Sequence, residues 1–341
     1  MVDDHVPRQP ALEPAAIAGI LATGFGITPS AVIPVTSGHD AVTRAWRVEM
    51  PSREQDYFLK ARPAGPRLDV AGRVARHLLS HGLVEVVAPI AARDGSVSVS
   101  AGEASLALFP FVDARRAMET GLREAEWTRL GRFTRSLHAT PLPADVATVI
   151  PREQFARREV DAFVRVDRAA SRAEHPTAEA RDVAAAWREK RALIATVAER
   201  TASLGREAAR RELPLVTCHA DLHTGNVLVD GAGELWVVDW DEVVIAPKER
   251  DLMFFIGGIS RDLVSDRATA SFLDGYGETT VDPVALAYYR YAWATQDVVG
   301  YAEQVLLNPS QSDADRAEAA RVFEILFRPG EIVDIATSSG G

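Results

Sequence analysis

Apolar positions along the chain follow two rhythms, and the change from one to the other divides its length. Between residues 31 and about 108 they come in short runs of strand formers: Ala31 to Val35, Val42 to Met50, Tyr57 to Ala61, Val84 to Ala91, Ser96 to Ser100 and Ser105 to Val112. Pro51-Ser52 opens the turn between the second and third runs. Helical spacing intervenes twice. Ile17, Ile20 and Leu21 predict a short helix from Pro14 to Gly26, and Val70, Val74 and Leu78 predict one from Asp69 to His81, stopped by Gly82. Beyond Asp113 the helical rhythm takes over. Trp127, Leu130, Thr134 and Leu137 mark one helix; Phe155 to Arg168, Asp182 to Arg200, Pro247 to Ile259 and Pro283 to Leu307 mark four more, the last with proline in its first turn.

One stretch of this helical region reads differently. NVLVD and ELWVVDW flank Gly231 and Gly233 and predict a β-hairpin. A midpoint near residue 232 sets Val227 against Val238 and Asn226 against Asp239. The expected organisation is therefore a β-rich lobe over 1–108, a connector at 109–113 and a helical lobe over 114–341, with a polar tail at the N-terminus. The chain is long enough to bury a sizeable core in each part.

Composition narrows the function classes. A net charge of −10 argues against a nucleic-acid partner, because the arginines are diluted among acids, and suits a cationic substrate. The single cysteine, Cys218, rules out an internal disulfide and follows an apolar run where a buried thiol is expected. Hydrophobic runs are too short to span a bilayer and the N-terminus lacks a secretion-signal pattern, so the expected location is the cytoplasm, with no membrane partner.

The chemistry gathers around the hairpin. His219, Asp221 and Asn226 have the H-x-D-x-x-x-x-N spacing of a protein-kinase catalytic loop, in which the aspartate takes a hydroxyl proton and the asparagine holds a metal ion. Asp239, in Asp239-Trp240-Asp241, stands where a kinase has its second metal-binding acid. An amide oxygen beside a carboxylate is a hard ligand pair of the kind Mg²⁺ takes when it also binds phosphates. Lys60 ends the strand Tyr57-Phe58-Leu59-Lys60 and can reach nucleotide phosphates; Ser37, Gly38, His39 and Asp40 form a loop placed to cover them. The connector Phe109-Pro110-Phe111-Val112 is expected to meet an adenine ring, with Val238 under the same nucleotide. The helix from Asp69 carries no glutamate to pair with Lys60, so either Asp69 substitutes or the phosphates themselves position the lysine. Asp241, Glu242, Trp293 and Asp297 are candidates for a protonated acceptor, since a desolvated amine needs carboxylates and an aromatic wall.

His219 to Asn226 followed by Val238 to Asp241 resembles the signature of the aminoglycoside phosphotransferase and choline kinase-like family. CHADLHTGNVLV, VVDWDE, APKERDLMF, Gly275-Tyr276-Gly277-Glu278 and Glu331-Ile332-Val333-Asp334 are most similar to its spectinomycin phosphotransferase branch. The resemblance implies an α+β, two-lobed protein-kinase-like fold, with a small antiparallel-sheet N-lobe and a mostly helical C-lobe. It implies ATP, with GTP as the alternative, Mg²⁺, and O-phosphorylation of an aminocyclitol or aminoglycoside hydroxyl. By position Asp221 is the base, Asn226 and Asp239 are metal ligands and Lys60 holds phosphates. Three other readings stay open: a kinase for choline, an amino sugar or another antibiotic; a non-catalytic pseudokinase, prompted by the missing helix glutamate and the single loop glycine; and a metal-dependent hydrolase, prompted by alternating His219, Asp221 and His223.

Overall fold

The protein is described by a computed structural model covering residues 12–35, 43–52, 55–309 and 311–338. Helix α1 (Pro14–Ile20) runs into a π-helical turn closed by Gly26 in the left-handed region. Strands β1 (Ala31–Val35), β2 (Arg44–Glu49) and β3 (Tyr57–Pro63) precede α2 (Arg67–Ser80), β4 (Val99–Ala101), β5 (Ala104–Pro110), β6 (Ala114–Arg116) and α3 (Ala117–Thr120). Helices α4 (Glu124–Ala139), α5 (Ala144–Ala147), α6 (Arg158–Ala170) and α7 (Ala178–Ala208) lead to β7 (Leu215–Cys218), β8 (Val227–Asp230), β9 (Leu235–Val237) and β10 (Val244–Pro247). The chain ends in α8 (Glu249–Leu252), α9 (Asp266–Tyr276), α10 (Pro283–Leu307), α11 (Asp313–Ile325) and α12 (Ile332–Ser338). It forms two compact units: Met1–Leu122 with Arg135–Pro151 and His219–Val244, and Arg123–Thr134 with Arg152–Cys218 and Ile245–Gly341.

The first unit is built on an antiparallel sheet of order β1-β2-β3-β5-β4. β3 lies at its centre, where alternation decides what each residue does. Leu59 and Ala61 face a core made with Trp46, Val48, Leu106, Leu108, Ile17 and Leu21. Lys60 and Arg62 take the opposite face, and the residues paired with Lys60 are Ala45 and Ala107, too small to crowd a long side chain. Helix α2 buries Leu68, Val74, Ala75 and Leu78 and packs against the short turn Trp240–Glu242.

The β8–β9 hairpin forms, but one residue out of the expected register: Val227 pairs with Val237, Leu228 with Trp236 and Val229 with Leu235. The turn explains the shift. The Asp230 carboxylate accepts from the amides of Ala232 and Glu234 and from the Trp236 indole, while the Asp230 amide donates to Glu234 O, so three residues rather than four turn the corner. Gly233, at φ 83°, takes the left-handed position of that loop. Asn226 therefore lies opposite Val238, whose amide donates to Asn226 O, and Asp239 falls one step beyond.

Other expectations need correction. Residues 84–91 form no strand; Val86 makes an isolated bridge to Val237, and Pro89 lacks the N–H that a continued ladder needs. The helical reading just after Asp113 misses β6, which pairs with β8 and gives a three-stranded sheet β6-β8-β9. The helix expected from Pro247 to Ile259 is the single turn α8; beyond it Gly257 and Gly258 both have positive φ, a backbone that no continuing helix allows.

The second unit packs α6, α7, α11 and α12 around α10, whose Tyr288, Tyr289, Trp293 and Val299 are buried. Two close approaches demand glycine. A Cβ on Gly131 of α4 would lie 2.0 Å from Phe272 O, and one on Gly275 of α9 would lie 1.8 Å from Thr128 O. Among the described residues no helix is long and apolar enough to cross a membrane.

Candidate active site

The first unit alone brings together Lys60, Asp221, Asn226, Asp239 and Asp241. The loop that follows β7 is folded by its own polar groups. His219 Nε2 donates to Val238 O at 3.0 Å, and its Nδ1 accepts the Asp221 amide at 3.3 Å. These contacts select the neutral tautomer protonated on Nε2 and tie the loop to the strand leading to Asp239. The ring packs against Trp240, with centroids 4.6 Å apart, and the Trp240 indole donates to Val237 O.

Asn226 Nδ2 donates to the Asp221 backbone oxygen and to Asp221 Oδ2, each at 2.8 Å. The amide nitrogen is thereby spent on the loop, leaving the side-chain carbonyl as the atom suited to a cation. His223 Nδ1 accepts the Gly225 amide at 3.0 Å, and its Nε2 lies 3.5 Å from Asp221 Oδ1. A Cβ on Gly225 would fall 2.6 Å from the His223 ring, so glycine is what lets that ring lie beside the aspartate.

Ala220 and Asp239 both sit in the left-handed region, at φ 69° and 64°. For residues with a Cβ this costs ~1–2 kcal/mol each, and such strain concentrates at functional sites. At Asp239 it lifts the carboxylate out of the hairpin ladder: the side chain is 43% exposed, although Lys60 Nζ holds its Oδ1 at 2.8 Å. Burial pushes the Asp239 carboxyl up, but the attraction and hydrogen bond of Lys60, helped by Arg62, outweigh it and hold the group below the usual carboxylate range. Burial alone would lower the Lys60 ammonium, yet Asp239 and Asp241 together raise it. An ionised carboxylate and an amide oxygen, both hard donors, fit Mg²⁺ rather than a softer metal.

The remaining sequence candidates separate. Ser37, Gly38, His39 and Asp40 lie outside the described residues. Phe109 and Pro110 end β5. Phe111 uses its amide on Asp56 O and its carbonyl on Gln55 Nε2, and the Arg47 guanidinium covers one ring face at 4.5 Å. Val238 has its amide and carbonyl committed to Asn226 and His219. Asp241 is buried between Lys60 Nζ at 2.8 Å and Arg62 Nη1 at 2.6 Å, and Glu242 bonds Arg67 of α2. Asp69 is beside Arg73 at 3.9 Å and does not pair with Lys60. Arg62 escaped the sequence reading, although its place two residues after Lys60 on one strand was the available signal.

Trp293 and Asp297 belong to α10 in the second unit. Trp293 packs edge-on against Phe254, centroids 4.9 Å apart, with the Arg250 guanidinium 5.6 Å from its ring. Burial, with a smaller push from Glu159, raises the Asp297 carboxyl to about 7 against a partial pull from the neighbouring Trp293 indole. Cys218 is fully buried, its thiol directed to the carbonyls of Ala246 and Pro247, and burial raises its pKa well above the usual thiol value.

The family model described as the phosphotransferase enzyme family matches residues 33–292. The chain belongs to that family. No curated protein sequence is similar enough to match the phosphotransferase. Among solved structures it is similar to the spectinomycin phosphotransferase APH(9)-Ia in complex with ADP and spectinomycin, with TM-score 0.86 and 24% identity over 97% of this chain and 99% of that one. An aminoglycoside phosphotransferase from Alicyclobacillus acidocaldarius gives TM-score 0.60 at 13% identity, covering 97% and 96%. The choline kinase LicA from Streptococcus pneumoniae gives 0.56 at 14%, covering 91% and 98%. The fold is the kinase-like one of these proteins, an antiparallel sheet toward the N-terminus followed by a mostly helical part.

Proposed function

We propose that the phosphotransferase moves the γ-phosphoryl group of ATP to a hydroxyl of a small cationic aminocyclitol of the spectinomycin type. The observation that carries this reading is the double hydrogen bond from Asn226 to Asp221, beside an exposed, ionised Asp239 paired with Lys60. Asp221 accepts the acceptor's hydroxyl proton as that oxygen bonds to the γ-phosphorus and the bond from phosphorus to the β-bridging oxygen breaks. Catalysis of this kind is positioning and charge neutralisation more than covalent work. Asn226 and Asp239 are the residues that would hold Mg²⁺, which supplies positive charge to the phosphate oxygens. Lys60 adds a further positive charge.

At the connector, Phe111 turns its backbone toward Asp56 and Gln55. Because consecutive residues of an extended chain face opposite ways, the Pro110 carbonyl and the Val112 amide are the groups for the adenine edge. A cationic acceptor is supported by the net charge of −10. The reaction is placed in the cytoplasm, where ATP is abundant.

The test is ADP release measured across spectinomycin, aminoglycosides, choline and amino sugars. Release that depends on spectinomycin and disappears in Asp221→Asn is the expected result. Release with choline or an amino sugar alone would replace the acceptor and keep the chemistry; nucleotide binding without release for any acceptor would sink both.

A further inference from the structure

We infer that Asp241 is the positioning residue for Lys60, filling the place of the absent helix glutamate, and that Arg62 fixes Asp241; the inference rests on the phosphate role proposed for Lys60. Helix α2 offers one acid, Asp69, and it sits 3.9 Å from Arg73, 45% exposed. Lys60 instead has two carboxylates at 2.8 Å, Asp239 Oδ1 and Asp241 Oδ2.

The two acids differ in exposure. The Asp239 side chain is 43% exposed and the Asp241 side chain 6%. A carboxylate that must turn to a cation has to be reachable, whereas one that only fixes an ammonium is better buried, where water does not compete with it. Asp241 is further pinned by Arg62 Nη1 at 2.6 Å, from the same face of β3 as Lys60. A carboxylate buried with two cations and hydrogen-bonded to both is an arrangement in which charge burial is offset.

Helix α2 still takes part, by packing against the Trp240–Glu242 turn and through the Arg67–Glu242 ion pair. It thus supports the segment bearing Asp241 instead of supplying the carboxylate. With Asp241 removed, Lys60 is left with Asp239 as its partner, and the lysine would then tie up the carboxylate that would hold Mg²⁺. Asp241 is accordingly assigned to the nucleotide side of the reaction and not to the acceptor.

The experiment compares steady-state kinetics of Asp241→Asn, Asp241→Glu, Lys60→Met and the double variant Lys60→Met/Asp241→Asn, varying ATP and acceptor separately. Asp241→Asn is expected to raise the KM for ATP roughly tenfold, leave the acceptor KM within about twofold, and add nothing further in the Lys60→Met background, the signature of residues acting through one another. Asp241→Glu is expected to recover part of the loss. An unchanged KM for ATP in Asp241→Asn, a raised acceptor KM, or losses that multiply in the double variant would overturn the assignment. If Lys60→Met itself leaves the KM for ATP unchanged, the phosphate role fails first, and the two failures are told apart. Should Asp241→Asn not fold, Arg62→Gln carries the same expectation of a raised KM for ATP at constant acceptor KM, and its absence there overturns the inference equally.

Discussion

Replacing Asp239 by asparagine separates catalytic from structural roles, because the geometry predicts opposite magnitudes for the two. On stability the change is small. The carboxylate is 43% exposed, and an ion pair with that much solvent contributes about 1 kcal/mol or less. Lys60 keeps its second partner, Asp241, so no buried ammonium is left alone. Asparagine, like aspartate, tolerates the left-handed backbone at φ 64°, so the change adds no backbone strain. Circular dichroism melting is therefore expected to move by no more than about 3 °C. On activity the change is large. General-base catalysis is worth ~10²- to 10⁴-fold, and with Asp221 as the proposed base Asp221→Asn should forfeit that much. Loss of the proposed metal ligand would disturb both nucleotide placement and the charge on the transferring group, so kcat/KM for Asp239→Asn should fall at least as far as for Asp221→Asn. Coupled ADP-release kinetics on the two variants decide the matter. Activity within about threefold of the parent in Asp239→Asn, with Asp221→Asn impaired, would refute the metal-ligand reasoning; near-full activity in both would remove the site.

With its carboxyl raised to about 7 by burial, Asp297 is expected to be neutral below that pH and anionic above it. If it meets a protonated acceptor, the acceptor KM falls as pH rises through about 7 and Asp297→Asn flattens that dependence; an unaltered profile removes Asp297 from the acceptor. Its folded-state pKa lies above the unfolded value of 3.8, so the native state holds a proton the unfolded chain has lost; stability should fall as pH rises from about 4 to 7, by at most ~1.4 kcal/mol per unit, a slope that denaturant titrations of Asp297→Asn should lack. The Lys60–Asp239 pair behaves oppositely: with the lysine raised and the aspartate lowered, its contribution persists from the ordinary aspartate range to beyond the ordinary lysine range, and it should impose no titration on kcat between pH 5 and 9. Gly275→Ala places a methyl 1.8 Å from Thr128 O, a backbone atom, and should destabilise by ~1–3 kcal/mol in chemical unfolding; Gly300→Ala, with open space around the glycine, should not. Cys218, buried and held as a thiol, should resist iodoacetamide in intact-mass measurements until the protein is unfolded.

What could be read in the sequence, and what could not, follows from the range of the forces involved. The limits of α10, with proline at its start, and the strands β1 to β3 are set by local rhythm and local punctuation, and they were legible. The Asp221 to Asn226 loop was legible too, since its hydrogen bonds close within five residues. The hairpin register was not, because the Asp230 side chain selects a shorter turn than the two glycines suggest, and a one-residue slip changes which residues face one another. Nor was β6, a three-residue strand whose only signal is a partner far along the chain.

The partner of Lys60 is the instructive case. A search for a helix carboxylate ends at Asp69, which is spaced correctly in sequence but paired elsewhere. The information lay in two short patterns instead. Lys60 and Arg62 share a face of the extended strand β3, while Asp239 and the turn Trp240–Glu242 that follows it present the Asp239 and Asp241 carboxylates to them, and the contacts Lys60–Asp239 and Arg62–Asp241 both span 179 residues. Neither pattern means anything alone, since charged residues two apart on a strand are common on solvated faces. Their complementarity acquires meaning once Lys60 is buried, because a buried ammonium requires acids nearby, and with Asp239 proposed as a metal ligand the other acid within reach is Asp241. The same reasoning explains why Arg62 is present: a carboxylate sunk to 6% exposure between a strand and a turn needs a second cation to remain charged.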